Sequence, residues 1–140
     1  VRSYKLGLDQ YAYAAFERGE RKRFYETATY NKKLHDLEGP HKLPQEVAYW
    51  RKHRDLQHWM DTLWQEKGEP YPDPTNDPRW GSTFNGVELE LEWKDIQRLE
   101  DDITNGILSG YSKEEDLKFC EDAKEQIFLF RKRVFYYSSW

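Results

Sequence analysis

Cysteine is nearly absent from this 140-residue chain: Cys120 stands alone, so no intramolecular disulfide and no cysteine-based zinc site can form within it. A lone thiol suits a reducing cytoplasm. Long apolar runs are missing too. No stretch approaches the roughly 18 residues that a membrane helix needs, and no hydrophobic leader is seen near the start. Aliphatic residues are scarce, with 13 Leu, 4 Ile and 4 Val. No Walker loop, dinucleotide-binding glycine string, nucleophile elbow or His-Glu-x-x-His motif occurs, and no internal repeat is visible.

Aromatic residues are plentiful. The 7 Phe, 10 Tyr and 6 Trp outnumber the aliphatics, and each ring can bury roughly 150–250 Å². The length predicts one domain over residues 1–140, with a core built mainly from rings. The net charge of −4 hides an asymmetry: residues 1–66 carry 12 basic and 10 acidic side chains, residues 67–140 carry 10 and 16. That balance does not suit a duplex-binding domain, which needs a strong basic footprint.

Alternation over residues 4–15 and again over 21–30, with a turn at Glu17–Glu20, predicts an N-terminal β-hairpin. Residues 31–43 read as a connector containing Gly39-Pro40. Pro44 to Lys67 reads as one helix. At 100° per residue, Tyr49, His53, Leu56, Met60 and Leu63 fall within about 40° of a common line, Trp59 and Trp64 flank it, and Gly68 ends it. Residues 69–82 hold four of the six prolines and read as an extended surface loop. Strict alternation in Val87-Glu88-Leu89-Glu90-Leu91 predicts a strand, and the run from Trp93 to Ile103 predicts a helix ending at Asn105-Gly106. Ser112 with Glu115 forms a capping box for the last helix. Val134 to Trp140 is β-prone and is expected to pair with the hairpin. The fold class is therefore α+β: a small antiparallel sheet, made of the N-terminal hairpin and the C-terminal strand, packed with about three helices.

The strongest chemical constellation is Tyr49-Trp50-Arg51-Lys52-His53-Arg54, continuing to His58. On the expected helix, Arg51, Arg54 and His58 lie within about 60° of one another, with Trp50 at their edge. Guanidinium groups beside a ring suit an anionic, aromatic ligand such as a nucleotide. The plainer alternative is a helix whose rings build the core under arginine stems. The proline-rich loop adds Tyr71 and Trp80 as candidate contacts. His53 and His58, about 140° apart on a helix, do not converge on a metal or a substrate. The acidic runs Glu88/Glu90/Glu92, Glu100-Asp101-Asp102 and Glu114-Glu115-Asp116 read as solvated faces. No catalytic set, metal site or cofactor motif emerges.

The chain resembles a family of small proteins encoded by tailed phages and prophages. These open on a Gly-Leu-Asp-x-Tyr motif, carry a Tyr-Trp-Arg-Lys segment, and close on Tyr-x-Ser-Ser-Trp. The resemblance runs through Gly7-Leu8-Asp9-Gln10-Tyr11, then Glu46 to Lys52 with Leu56 and Trp59, then Tyr136-Tyr137-Ser138-Ser139-Trp140. Gln57 follows Leu56 where that family has His after Ile, and His58 stands one position later. The resemblance implies phage origin and life in the cytoplasm of the infected bacterial host. The expectation is an accessory, host-takeover protein that binds a host protein or a nucleotide-like anionic ligand, without membrane association, as a monomer or a homo-oligomer. A small virion component is the alternative, and a hydrolase acting on a nucleotide a more distant one.

Overall fold

A computed structural model describes residues 7–20 and 44–140, with Trp80 described by its backbone only. Among these residues four strands form one antiparallel sheet: β1 (Asp9–Ala15), β2 (Gln45–Arg51), β3 (Leu89–Leu91) and β4 (Arg133–Ser139), in the order β2-β1-β4-β3. Among the described residues three α-helices accompany it: α1 (Arg54–Glu66), α2 (Trp93–Thr104) and α3 (Lys113–Phe128). The architecture is the expected α+β arrangement.

The pairing of β4 with β1 is also as expected, with Gln10 opposite Ser138 and Ala12 opposite Tyr136. The hairpin needs correction. The other neighbour of β1 is β2, with Tyr11 opposite Tyr49 and Gln10 opposite Trp50; the expected strand over 21–30 lies outside the described residues.

The larger correction concerns residues 44–67, where a strand, a turn and a helix replace one helix. Val47, Tyr49 and Trp50 are β-branched or aromatic and fit a pleated surface. Lys52 then takes a left-handed φ of 57°, which no helix interior tolerates. His53 caps α1 by accepting the Leu56 backbone N–H at its Nδ1. Tyr49 therefore leaves the expected core stripe and is half exposed, whereas His53, Leu56, Met60 and Leu63 stay buried.

One sheet face carries Gln10, Ala12, Ala14, Trp50, Leu89, Leu91, Val134, Tyr136 and Ser138, all buried. The apolar members among them share a core cluster with residues of all three helices: Leu56, Met60 and Trp64 of α1, Ile96, Leu99 and Ile103 of α2, Phe119, Cys120 and Ala123 of α3. The cluster is ring-rich, with Trp50 edge-on to Phe119 at 5.0 Å and Trp64 at 5.1 Å from Phe84. Burial pushes the Cys120 thiol up to about 12, so it stays an un-ionised core residue. At the outer edge of β3, Arg18 donates to the Glu88 carbonyl and the Lys67 ammonium to the Glu90 carbonyl at 2.9 Å. These cations occupy positions that another strand would otherwise seek.

Candidate binding surface

The alternation that exposes Tyr49 turns Trp50 inward, which corrects its placement on a ligand-binding face. Its indole is 2% exposed, and Nε1 donates to Asp116 Oδ1 at 3.0 Å. The other Asp116 oxygen accepts His53 Nε2–H at 2.8 Å. Because His53 Nδ1 accepts from Leu56 N–H, the imidazole proton is assigned to Nε2. Asp116, read from sequence as a solvated first-turn acid, is thus buried, because a buried indole and a buried imidazole both require an acceptor there.

The network continues through Gln10. Its amide brackets the His53 backbone, donating to the carbonyl and accepting from the N–H, both at 2.8 Å. It also donates to the Tyr136 hydroxyl at 2.9 Å. That hydroxyl donates to Gln57, which donates to Ser138 Oγ at 2.9 Å. A His–Asp pair can serve proton transfer. Here both side chains are almost wholly buried and every nitrogen and oxygen of the pair is hydrogen-bonded, so the pair ties the end of β2, the start of α1 and the first turn of α3 together.

The other candidate residues are dispersed. Arg51, on the opposite sheet face from Trp50, lies 3.6 Å from Asp9, which also accepts the Tyr49 hydroxyl at 2.7 Å. Arg51 therefore does not share a helical face with Arg54 and His58. Those two remain together, one turn apart on α1, both exposed, and among the described residues neither side chain makes a hydrogen bond or ion pair. Tyr71 is 67% exposed with a φ of 53°, and the Arg18 guanidinium lies 3.8 Å over its ring. It belongs to a separate groove of about 250 Å³ with Arg18, Lys67 and Leu89. Trp80 closes the short 3-10 turn Pro78–Trp80 of the proline-rich loop.

His58 sits on a groove of about 290 Å³ between α1 and α2, bounded by the α2–α3 loop. Trp59 forms its floor, and its Nε1 donates to Asp102 Oδ2 at 2.8 Å. Arg98 lies 5.6 Å over the same ring, committed to Glu66 by two hydrogen bonds of 2.7 and 3.1 Å. The loop is held at two points. Ser109 donates its backbone N–H and its hydroxyl to Asp55 Oδ2 at 2.6 and 3.0 Å. Tyr111 stacks on the buried His53 ring at 4.6 Å and 7°. Just before them Leu108 packs against the core, while Ile107 is left 65% exposed. The Ser109 backbone N–H, ahead of its hydroxyl, holds the Asp55 carboxyl below its usual range against the opposing effect of burial.

Sequence reasoning missed Asp55, Asp102 and the 107–109 segment. The available signal was an Ile-Leu pair set between Asn105-Gly106 and Gly110, an apolar pair inside a loop. Gly106 and Gly110 adopt φ of 74° and 78°, which shape the loop as glycine allows. Among the described residues, no group of three or more His, Cys, Asp or Glu could hold a metal ion, and no helix is long and apolar enough to cross a membrane. Comparison with family models, curated proteins and solved structures finds no match.

Proposed function

We propose that this chain is a phage-type accessory protein that acts by binding a host protein, through the outer side of α1, the groove at Trp59 and the α2–α3 loop. The phage origin and the setting in an infected bacterium rest on the resemblance carried by Gly7–Tyr11, Glu46–Lys52 and Tyr136–Trp140. The observation that supports binding at this surface is Ile107. It stands 65% exposed on a loop fastened at Ser109 and Tyr111, so it is presented to solvent in an ordered position. Covering such a side chain yields about 1.5–3 kcal/mol, with little ordering cost left to offset it. His58, which lines the same groove as Ile107, and Arg54 one turn before it on α1 supply polar groups of the kind that rim an apolar anchor. A nucleotide-like ligand would need an exposed ring among the cations. Trp50 is in the core, and the exposed Tyr71 ring lies with Arg18 in a separate groove, so at this surface the balance favours a protein partner.

The test is affinity capture from bacterial lysate with immobilised wild type, Ile107→Glu and Arg54→Glu/His58→Glu. A discrete protein retained by wild type should fall at least about tenfold with Ile107→Glu, a loss of about 1.4 kcal/mol. The double variant should weaken retention chiefly at low salt. Matching thermal unfolding of the three proteins keeps the comparison fair. Identical retention by all three would remove this surface from the reading.

A further inference from the structure

The groove lining holds two carboxylates, Asp55 and Asp102, with Arg98 and His58 beside them. Arg98 is neutralised by Glu66, whereas Asp55 and Asp102, which line the same groove, have no cation within ion-pair distance among the described residues. Each engages one carboxylate oxygen with a neutral donor, Ser109 in one case and the Trp59 indole in the other. Among the described residues, none donates to either Oδ1 atom. An indole floor and the Ile107 and Leu108 side chains complete a space of about 290 Å³, large enough for one extended side chain.

We infer that this groove receives a lysine or arginine side chain of the protein partner, its alkyl stem against Ile107, Leu108 and Trp59 and its cationic head between Asp55 and Asp102. The inference rests on the binding surface proposed above and names what enters it. The ring face of Trp59 adds attraction for a cation. The unpaired carboxylates favour a positive head over a neutral or negative one, because like charge in a partly dry site is costly. Arg54 and His58 on the rim ask for an acidic neighbour on the partner. A basic residue flanked by an acidic one is therefore the sequence feature this surface selects.

The probes are n-butylguanidinium and n-butyrate, one methylene apart in their alkyl chains and opposite in charge, titrated into the whole chain and followed by the Trp59 indole N–H and the Ile107 and Leu108 signals in NMR. Butylguanidinium should give saturable shifts at these three residues in the millimolar range expected of so small a ligand, and butyrate none. Asp102→Asn keeps an acceptor for the indole while removing charge; it and Asp55→Asn should each weaken the guanidinium by at least about threefold. Glu121→Gln, a distant exposed acid on α3, should leave it unchanged. Equal response to both probes, no saturable response to butylguanidinium, or indifference to both aspartate changes would overturn the inference. If the guanidinium binds as expected while lysate capture ignores Ile107→Glu, the groove chemistry stands and the host-protein reading falls. The reverse pattern sinks the groove assignment alone.

Discussion

Asp116 accepts from two buried donors and is itself buried. Removing its carboxylate in Asp116→Ala strands the Trp50 indole N–H and the His53 Nε2–H together, and each buried donor left without its acceptor costs about 1–3 kcal/mol. Urea unfolding with an unchanged m-value should show a loss of that size. His53→Ala/Asp116→Ala should cost less than the two single losses combined, by about 1–3 kcal/mol, because the second change removes a group the first had orphaned. Strict additivity would mean that the pair is not coupled. Lys132 gives the second prediction at this scale. It is 3% exposed, its ammonium lies 5.8 Å from the Phe16 ring, and burial pushes its pKa down from 10.5 to about 8, with Glu20 opposing. Between those two values the unfolded chain holds the proton and the folded chain does not, so this group makes stability rise with pH. Below about 8 both states are protonated and the full cost of the buried charge is present. Lys132→Met should therefore be more stable than wild type at pH 7, with the advantage shrinking towards pH 10. An advantage that stays constant across that range would exclude a depressed lysine.

At the scale of elements, the informative position is the junction of β2 with α1. Lys52 sits there with a φ of 57°, and its backbone N–H donates to the Leu8 carbonyl at 2.8 Å. Lys52→Gly should raise stability by up to about 1 kcal/mol, since glycine avoids the left-handed penalty at that residue. Were residues 44–67 one helix, the same change would lower stability by about 1 kcal/mol. The sign of the shift in thermal unfolding decides between the two. The sequence was deceptive here because positions 49, 53, 56, 60 and 63 have helical spacing, while the strand signal occupies only seven residues, the first two of them polar. Where periodicity and a terminator coincide, the elements were legible: the Ser112 hydroxyl accepts the Glu115 N–H as the capping motif requires, and Leu89 and Leu91 are buried with Glu90 between them turned to Arg133. The binding surface was harder to read. Arg54 and His58 stay neighbours because both fall after the true helix start, but Asp55 meets Ser109 across 54 positions, and no local pattern encodes that pairing.

For the molecule as a whole, the decisive feature is that β4 lies between β1 and β3, so the last seven residues assigned to a strand complete a sheet begun at Asp9. Aromatic richness and the β-prone ending made that closure legible from composition alone. What composition could not supply is the polar line running through it, from Gln10 across the Tyr136 hydroxyl to Gln57 and Ser138. Tyr136 is wholly buried and contributes both apolar area and this link. Tyr136→Phe keeps the ring and leaves the Gln10 and Gln57 amides short of a partner, so it should cost about 1–3 kcal/mol while folding stays cooperative. Ending the chain after Phe135 goes further, because it also deletes the Tyr136 ring, the Ser138 hydroxyl and the register from Asp9 to Ala12. Losing a buried ring alone costs about 3–5 kcal/mol, against a total stability of about 5–15 kcal/mol for ordinary domains. Circular dichroism of the truncated chain should accordingly show no cooperative thermal transition. Ending after Ser139 removes only Trp140, which is partly buried and bonded through its backbone N–H to Asn85 at 3.0 Å, and should lower the midpoint while leaving the transition sharp. A chain ending at Phe135 that still melted cooperatively near the wild-type temperature would mean that β1 and β2 hold together without a central β4. The C-terminal rings would then be free to serve as a contact surface in their own right.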